Sequence, residues 1–147
     1  MLVQDHSEKL KIDISSVKRS YYKNLHVYSS DENHKITHPC SFNKCYFTNN
    51  LIFAQGEYEF KNCVFDNFKL TINDSLVILD NCTYNSESMA KIYLNDSKCQ
   101  VFGERTNLSQ YTFSFDRNSE VFIFSGYHDD SYARDSRIKY SKNVVKL

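Results

Sequence analysis

Four cysteines recur at a nearly regular interval through the middle of this 147-residue chain. Cys45, Cys63, Cys82 and Cys99 are separated by 18, 19 and 17 residues. Thiols at a fixed spacing could hold a soft metal or exchange disulfides. Equivalent positions in a repeat, however, present sulfurs in a line, whereas structural zinc needs four ligands converging on a tetrahedron. Free Cys is also among the most buried residue types and packs as a small hydrophobe. The four are expected to form a structural ladder inside the fold.

A denser cluster lies just upstream in His34-x3-His38-Pro39-Cys40-x4-Cys45. With Cys45 assigned to the ladder, His34, His38 and Cys40 remain as candidate metal ligands. That set is one short, and its order fits no standard zinc finger. The two histidines are expected in an exposed entry loop, with no metal or other cofactor bound. Tyr127-His128-Asp129-Asp130 sets an imidazole beside two carboxylates, a pairing that suits acid–base work. Adjacent residues seldom point the same way, so a polar loop is the expected reading. The chain has no Gly-x-Ser-x-Gly elbow, and Gly56, Gly103 and Gly126 stand isolated, without a phosphate loop. No catalytic residue is assigned, and the protein is expected not to be an enzyme. Asp66, Asp80 and Asp96 could supply paired carboxylates for sugar cleavage, with Tyr58, Tyr84 and Tyr93 as stacking platforms. Turn formation accounts for the same three aspartates without catalysis.

Eighteen basic and 18 acidic residues cancel, so the chain lacks the overall positive charge of many nucleic-acid binders. Positive charge gathers late, where Arg134, Arg137, Lys139, Lys142 and Lys146 follow Ser131 against Asp135 alone as an acid. Tyr132, Arg134, Arg137, Lys139 and Tyr140 mix cations and rings, as contact surfaces do. The N-terminus has no apolar signal core, and no apolar run is long enough to span a membrane as a helix. With an odd number of cysteines, five, reduced thiols and a cytoplasmic location are expected, without membrane contact.

These residues need elements to position them, and the chain supplies short strands. Phe68, Leu70 and Ile72 alternate, as do Tyr58 and Phe60, Val77 and Leu79, and Phe113 and Phe115. Period two marks a strand with one buried face. Between the strands lie Thr48-Asn-Asn, Asp66-Asn, Asn73-Asp-Ser, Asp80-Asn and Asn95-Asp-Ser, which are turn signals, and no helical period intervenes. Only three Gly and one Pro occur, so Asn, Asp and Ser must make the turns. Strands this short cannot be joined by helical crossovers. A repeat near 18 residues stacks them if the chain coils back to the same place each turn, and each coil buries its apolar face on the next.

The phrases Phe60-Lys-Asn-Cys-Val-Phe65 and Leu79-Asp-Asn-Cys-Thr-Tyr84 resemble coils of right-handed parallel β-helix proteins. That group includes pectate-lyase-like enzymes, phage tailspikes and bactofilin-type scaffolds. The resemblance covers residues 40–124, implies an all-β fold of about four to five coils, and carries no functional residues across. The expected organisation is one domain, residues 1–147: an N-terminal cap over 1–39, coils over 40–124, and a C-terminal cap or basic tail over 125–147. Function is expected on the outer faces and ends of the stack. A non-enzymatic protein–protein interaction module fits best, such as a small phage or bacterial inhibitor or scaffold of a larger complex. Its partner would be another protein or a second copy joined through a solenoid end. A carbohydrate-binding or carbohydrate-active β-helix, and nucleic-acid binding through the basic C-terminus, are the competing readings.

Overall fold

The computed structural model describes residues 9–84, 90–129 and 135–147. It is a parallel β-solenoid of about six coils. One face is a seven-stranded sheet whose spatial order follows the chain. Its strands are β2 (Tyr21–Lys23), β5 (Cys40–Asn43), β7 (Glu57–Lys61), β9 (Leu76–Asp80), β12 (Lys98–Phe102), β14 (Glu120–Ile123) and β16 (Ile138–Tyr140). A second sheet runs through β1 (Leu10–Asp13), β3 (Leu25–Tyr28), β6 (Tyr46–Ala54), β8 (Val64–Asn73), β11 (Ala90–Asn95) and β13 (Tyr111–Phe115). It has two limbs. The register shifts between Phe47 and Asn49, so β3 pairs with the start of β6 while β4 (Lys35–Ile36) pairs with its end. In the next coil β10 (Thr83–Tyr84) and β11 take the two limbs of β8 in the same way. A two-stranded sheet, β15 (Gly126–His128) with β17 (Val144–Lys146), closes the C-terminal coils. The only helical element among the described residues is a 3-10 turn at Leu108–Gln110.

Each strand of the first face turns its alternate residues inward and stacks them in rows. Tyr22, Phe42, Phe60, Leu79, Val101, Ile123 and Tyr140 are successive register partners in one row. Tyr22 and Phe60 stack on opposite faces of Phe42, with centroids 4.9 and 4.8 Å away. Phe47 and Phe53 meet Phe42 edge-on at 5.0 and 6.0 Å from the second sheet, and Phe65 lies 5.4 Å from Phe47. Offset stacks and edge contacts are the arrangements aromatic quadrupoles favour. The first-face row is therefore built of rings in its N-terminal half and passes to Leu79, Val101 and Ile123 beyond β7 before it ends on Tyr140.

The corners explain how the coil turns with so little glycine. After β5, β7 and β9 a polar residue takes the left-handed conformation, Lys44 (φ 55), Asn62 (φ 54) and Asn81 (φ 53), whereas β12 is followed by Gly103 (φ 115). The opposite corner uses Gln55 (φ 55), Asp74 (φ 49) and Asp96 (φ 49). Each turns the chain sharply, and its freed N–H donates to the next coil, as Asn62 does to Asp80 O at 2.9 Å and Asp74 to Asn95 O at 3.0 Å. A small residue then points inward. At the first corner these are Cys45, Cys63 and Cys82, all buried. At the opposite corner Ser75 and Ser97 fill the same role, each hydroxyl donating to the carbonyl two residues back at 2.7 Å. Gly56, Ser75 and Ser97 N–H groups each donate to the serine hydroxyl of the following coil, at 3.2, 3.1 and 3.0 Å. This serine ladder was missed in the sequence. Its signal was the repeated Asn-Asp-Ser at residues 73 and 95.

Two expectations change. Coil geometry does not start at residue 40, because β2 and β3 already stack in register on β5 and β6. It also runs past residue 124 into β16 and β17. Four to five coils thus become about six. Cys99 is buried but does not stand in the row of Cys45, Cys63 and Cys82. It sits within β12 opposite Val77 and Val121. Register partners Asp80 and Phe102 show the reason. Cys82 donates to Asp80 O, and the next equivalent corner donor is Thr106 on Phe102 O, after two extra residues.

Candidate interaction surface

Along the outward row that begins Lys23, Asn43, Lys61 and Asp80, the later first-face strands carry rings where the earlier ones carry polar or charged side chains. β7 presents Glu57, Glu59 and Lys61, all exposed. In β12 the position in register with Lys61 and Asp80 is taken by Phe102. One coil on, Phe124 stacks on Phe102 with centroids 4.6 Å apart and planes 2° from parallel. Phe122 adds a third ring 6.5 Å from Phe124. Lys139 reaches across from β16, with Nζ 5.3 Å from the Phe122 centroid and 3.2 Å from Glu120. Around the corner the strip meets an open recess of about 1110 Å³, bordered by Phe102, Phe124, Tyr127, Lys142, Val145 and Leu147. Phe124, Val145 and Leu147 are 38%, 54% and 74% exposed. Isolated apolar residues on a surface are ordinary, whereas a contiguous group rimmed by polar side chains marks a contact site.

The residues expected to make contacts divide. Lys139 lies at the edge of the aromatic strip. Arg137 is used internally: it pairs with Asp135 at 3.0 Å, donates to Phe115 O and Asp116 O at 3.1 and 3.2 Å, and covers the Phe115 ring at 4.2 Å. It ties β16 to the second sheet. Its hydrogen bonds hold the Asp135 carboxyl below the usual carboxylate range. Tyr140 falls on the inward parity of β16, with its ring 6.1 Å from that of His128. Tyr132 and Arg134 lie outside the described residues.

The chemical clusters disperse once the strands are built. Cys40 is buried in β5 opposite Tyr58, and burial pushes its thiol up to about 12. His38 lies in the exposed loop before it, its Nε2 donating to Arg19 O at 2.7 Å. His34 and His38 border a recess at the other end of the stack from the aromatic strip. Among the described residues no three His, Cys, Asp or Glu side chains converge as a metal site would require. In β15 the alternation turns His128 inward and Tyr127 outward, while the Asp129 carboxylate accepts from Ser109 Oγ at 3.0 Å. The three candidate sugar-cleaving aspartates occupy different places. Asp66, expected in a turn, instead lies within β8 and accepts from the Tyr46 hydroxyl. Thr48-Asn-Asn likewise lies within β6, because these second-sheet strands run on past both signals. Asp80 ends β9, and Asp96 makes a corner. Tyr58 is fully buried and donates to Ile36 O and Ala54 O, so it offers no sugar platform. Tyr93 lies under Lys69, and the Tyr84 side chain lies outside the described residues.

All five cysteines are free and buried. For Cys45 the hydrogen bond with Cys63 and then burial favour the protonated thiol, and for Cys63 and Cys99 burial does so first. A protonated, enclosed thiol is a poor nucleophile. In the native protein, Ellman's reagent is expected to label fewer than one thiol per chain over minutes, and all five after denaturation. Rapid native labelling of two or more would refute the interior placement.

The fold and this surface define an all-β, parallel β-solenoid protein with one aromatic corner. Comparison with protein-family models finds no match, and comparisons with curated proteins and with solved structures also find none. Among the described residues no helix is long and apolar enough to cross a membrane.

Proposed function

We propose that this protein is a non-enzymatic interaction module that meets a larger protein partner through its C-terminal corner. The observation carrying this reading is the stacked Phe102–Phe124 pair continuing into exposed Val145 and Leu147. Rings held on a parallel sheet lose little freedom on binding, and aromatic anchors dominate many interface cores. Lys139 and Lys142 at its rim suit a partner surface with acidic groups around an apolar patch. The edge strands at one end carry exposed Lys11 and Lys23, and at the other Lys139, paired with Glu120, lies on β16 with Lys142 in the turn after it. Like charge on strand edges opposes end-to-end pairing, which favours this lateral contact over a homodimer through the solenoid ends.

The test places a photo-crosslinking benzoylphenylalanine at Val145 or, as a control, at Thr71 on the outer side of the second sheet. In the native host, a discrete crosslinked species is expected from position 145 alone, and Phe124→Ser should remove it. Equal products from both positions, or persistence in Phe124→Ser, would overturn the assignment.

A further inference from the structure

We propose that the recess between the 15–18 turn and the 34–38 loop binds a small phosphate monoester. It lies at the opposite end of the stack from the aromatic corner and does not depend on that reading. Lys18, Lys35, His34 and His38 border it together with Ser16 and Val17, and no carboxylate lines it. Neither lysine has an ion-pair partner among the described residues. Lys35 also borders the adjoining recess that holds Asp74 and Asp96, without pairing to either. Cations without a paired carboxylate around a concave surface concentrate the field inside it and favour an anion.

The walls are preorganised. Of the nearby carboxylates, Asp13 is taken up by the turn itself: Ser15 donates to Oδ1 from its N–H at 3.0 Å and its hydroxyl at 2.6 Å, and Ser30 N–H adds 3.1 Å. Asp31 accepts from Asn33 N–H at 3.0 Å within its own loop. Ser16 binds Asp13 O through both its N–H and its hydroxyl, at 3.1 and 3.0 Å. The Val17 and Lys18 N–H groups that follow have no acceptor among the described residues. On the opposite wall Ile36 is buried, so strand alternation turns Lys35 outward from β4. The His38 Nε2 bond to Arg19 O joins the loop to the turn side.

A volume of about 290 Å³ holds a phosphoryl group with a small organic substituent. Two ammonium groups match the two negative charges of a monoester better than the single charge of a carboxylate.

The test is a titration of the ¹⁵N-labelled chain with glycerol 2-phosphate at constant ionic strength, followed by amide shifts. Saturable shifts are expected at Val17, Lys18 and residues 35–38, and acetate should not reproduce them. Lys18→Ala and Lys35→Ala should each weaken binding about tenfold, as loss of one charged hydrogen bond does. Lys35→Arg should retain most of it. Unchanged shifts elsewhere will show that the variants remain folded. Non-saturating shifts spread over the surface lysines, an equal response to acetate, or undiminished binding by both alanine variants would overturn the proposal.

Discussion

Replacing Phe60 with alanine is expected to lower the unfolding free energy by about 3–5 kcal/mol, the range for deleting a large buried ring. Phe60 has no solvent exposure and stacks on Phe42 at 4.8 Å. Phe47, Phe53 and Phe65 surround it with centroids at 5.2, 5.5 and 5.6 Å. These rings come from both sheets and from two successive coils. The neighbours are themselves locked in stacks, so they cannot collapse into the space left behind. In a stack of coils stability is the sum of unit and neighbour terms. A void at Phe60 weakens the interfaces on both sides of its coil. Urea denaturation followed by circular dichroism gives the measurement, with Phe122→Ala on the outer side of β14 as the comparison. A loss under about 1 kcal/mol at Phe60, or an equal loss at Phe122, would contradict the ring-centred core.

The second large effect is expected at Gly103, the corner residue after β12. Its φ is +115°, far from the left-handed values near 50–55° adopted by Lys44, Asn62, Asn81 and Asp96. A Cβ added there would lie 2.8 Å from Asn81 Cα and N, and 2.7 Å from Thr106 Oγ1. Two of those contacts are backbone of the coil below, so no side-chain rotation relieves them. Gly103→Ala thus combines a strained φ with overpacking, each worth about 1–3 kcal/mol. A total of about 2–6 kcal/mol is expected. The Gly103 N–H also donates to Ser125 Oγ at 2.7 Å, tying this corner to the next coil. Backbone movement here should therefore loosen the C-terminal coils first. Hydrogen exchange is expected to quicken in β12, β14 and β16 while β5 and β7 keep their protection. Uniform loss along the chain, or no loss, would show that this corner does not hold the C-terminal coils together.

The same corner shows how far the chain could be read in advance. Polar-then-Cys at 44–45, 62–63 and 81–82 was legible as a repeat, because the left-handed corner and the small inward residue after it are local demands. Lys98-Cys99 imitates that pattern at a plausible spacing. Its role was decided by the partners β9 and β14, which place Cys99 within a strand. Nothing in the spacing reports a coil lengthened by two residues. At the ends, β2 and β16 were not legible as coils because three-residue strands are too short to display a period. They exist because the neighbouring sheet offers an unpaired edge.

The candidate site divides along the same line. Lys139 and its cationic neighbours stood out by charge, but charge alone could not separate it from Arg137, which is consumed holding β16 in place. The aromatic strip went unread because Phe102, Phe122 and Phe124 look like core residues in an alternating chain. The ladder puts Val101, Ile123 and Val121 inside and leaves these rings outside. The sequence alone determined that the chain coils, that Asn73-Asp-Ser, Asp80-Asn and Asn95-Asp-Ser turn it, and that a polar residue precedes Cys at three successive corners. Those are properties of one residue and its immediate neighbours. Which row each residue joins, where the stack ends, and which rings remain exposed were decided by register between coils, a relation among residues about twenty positions apart.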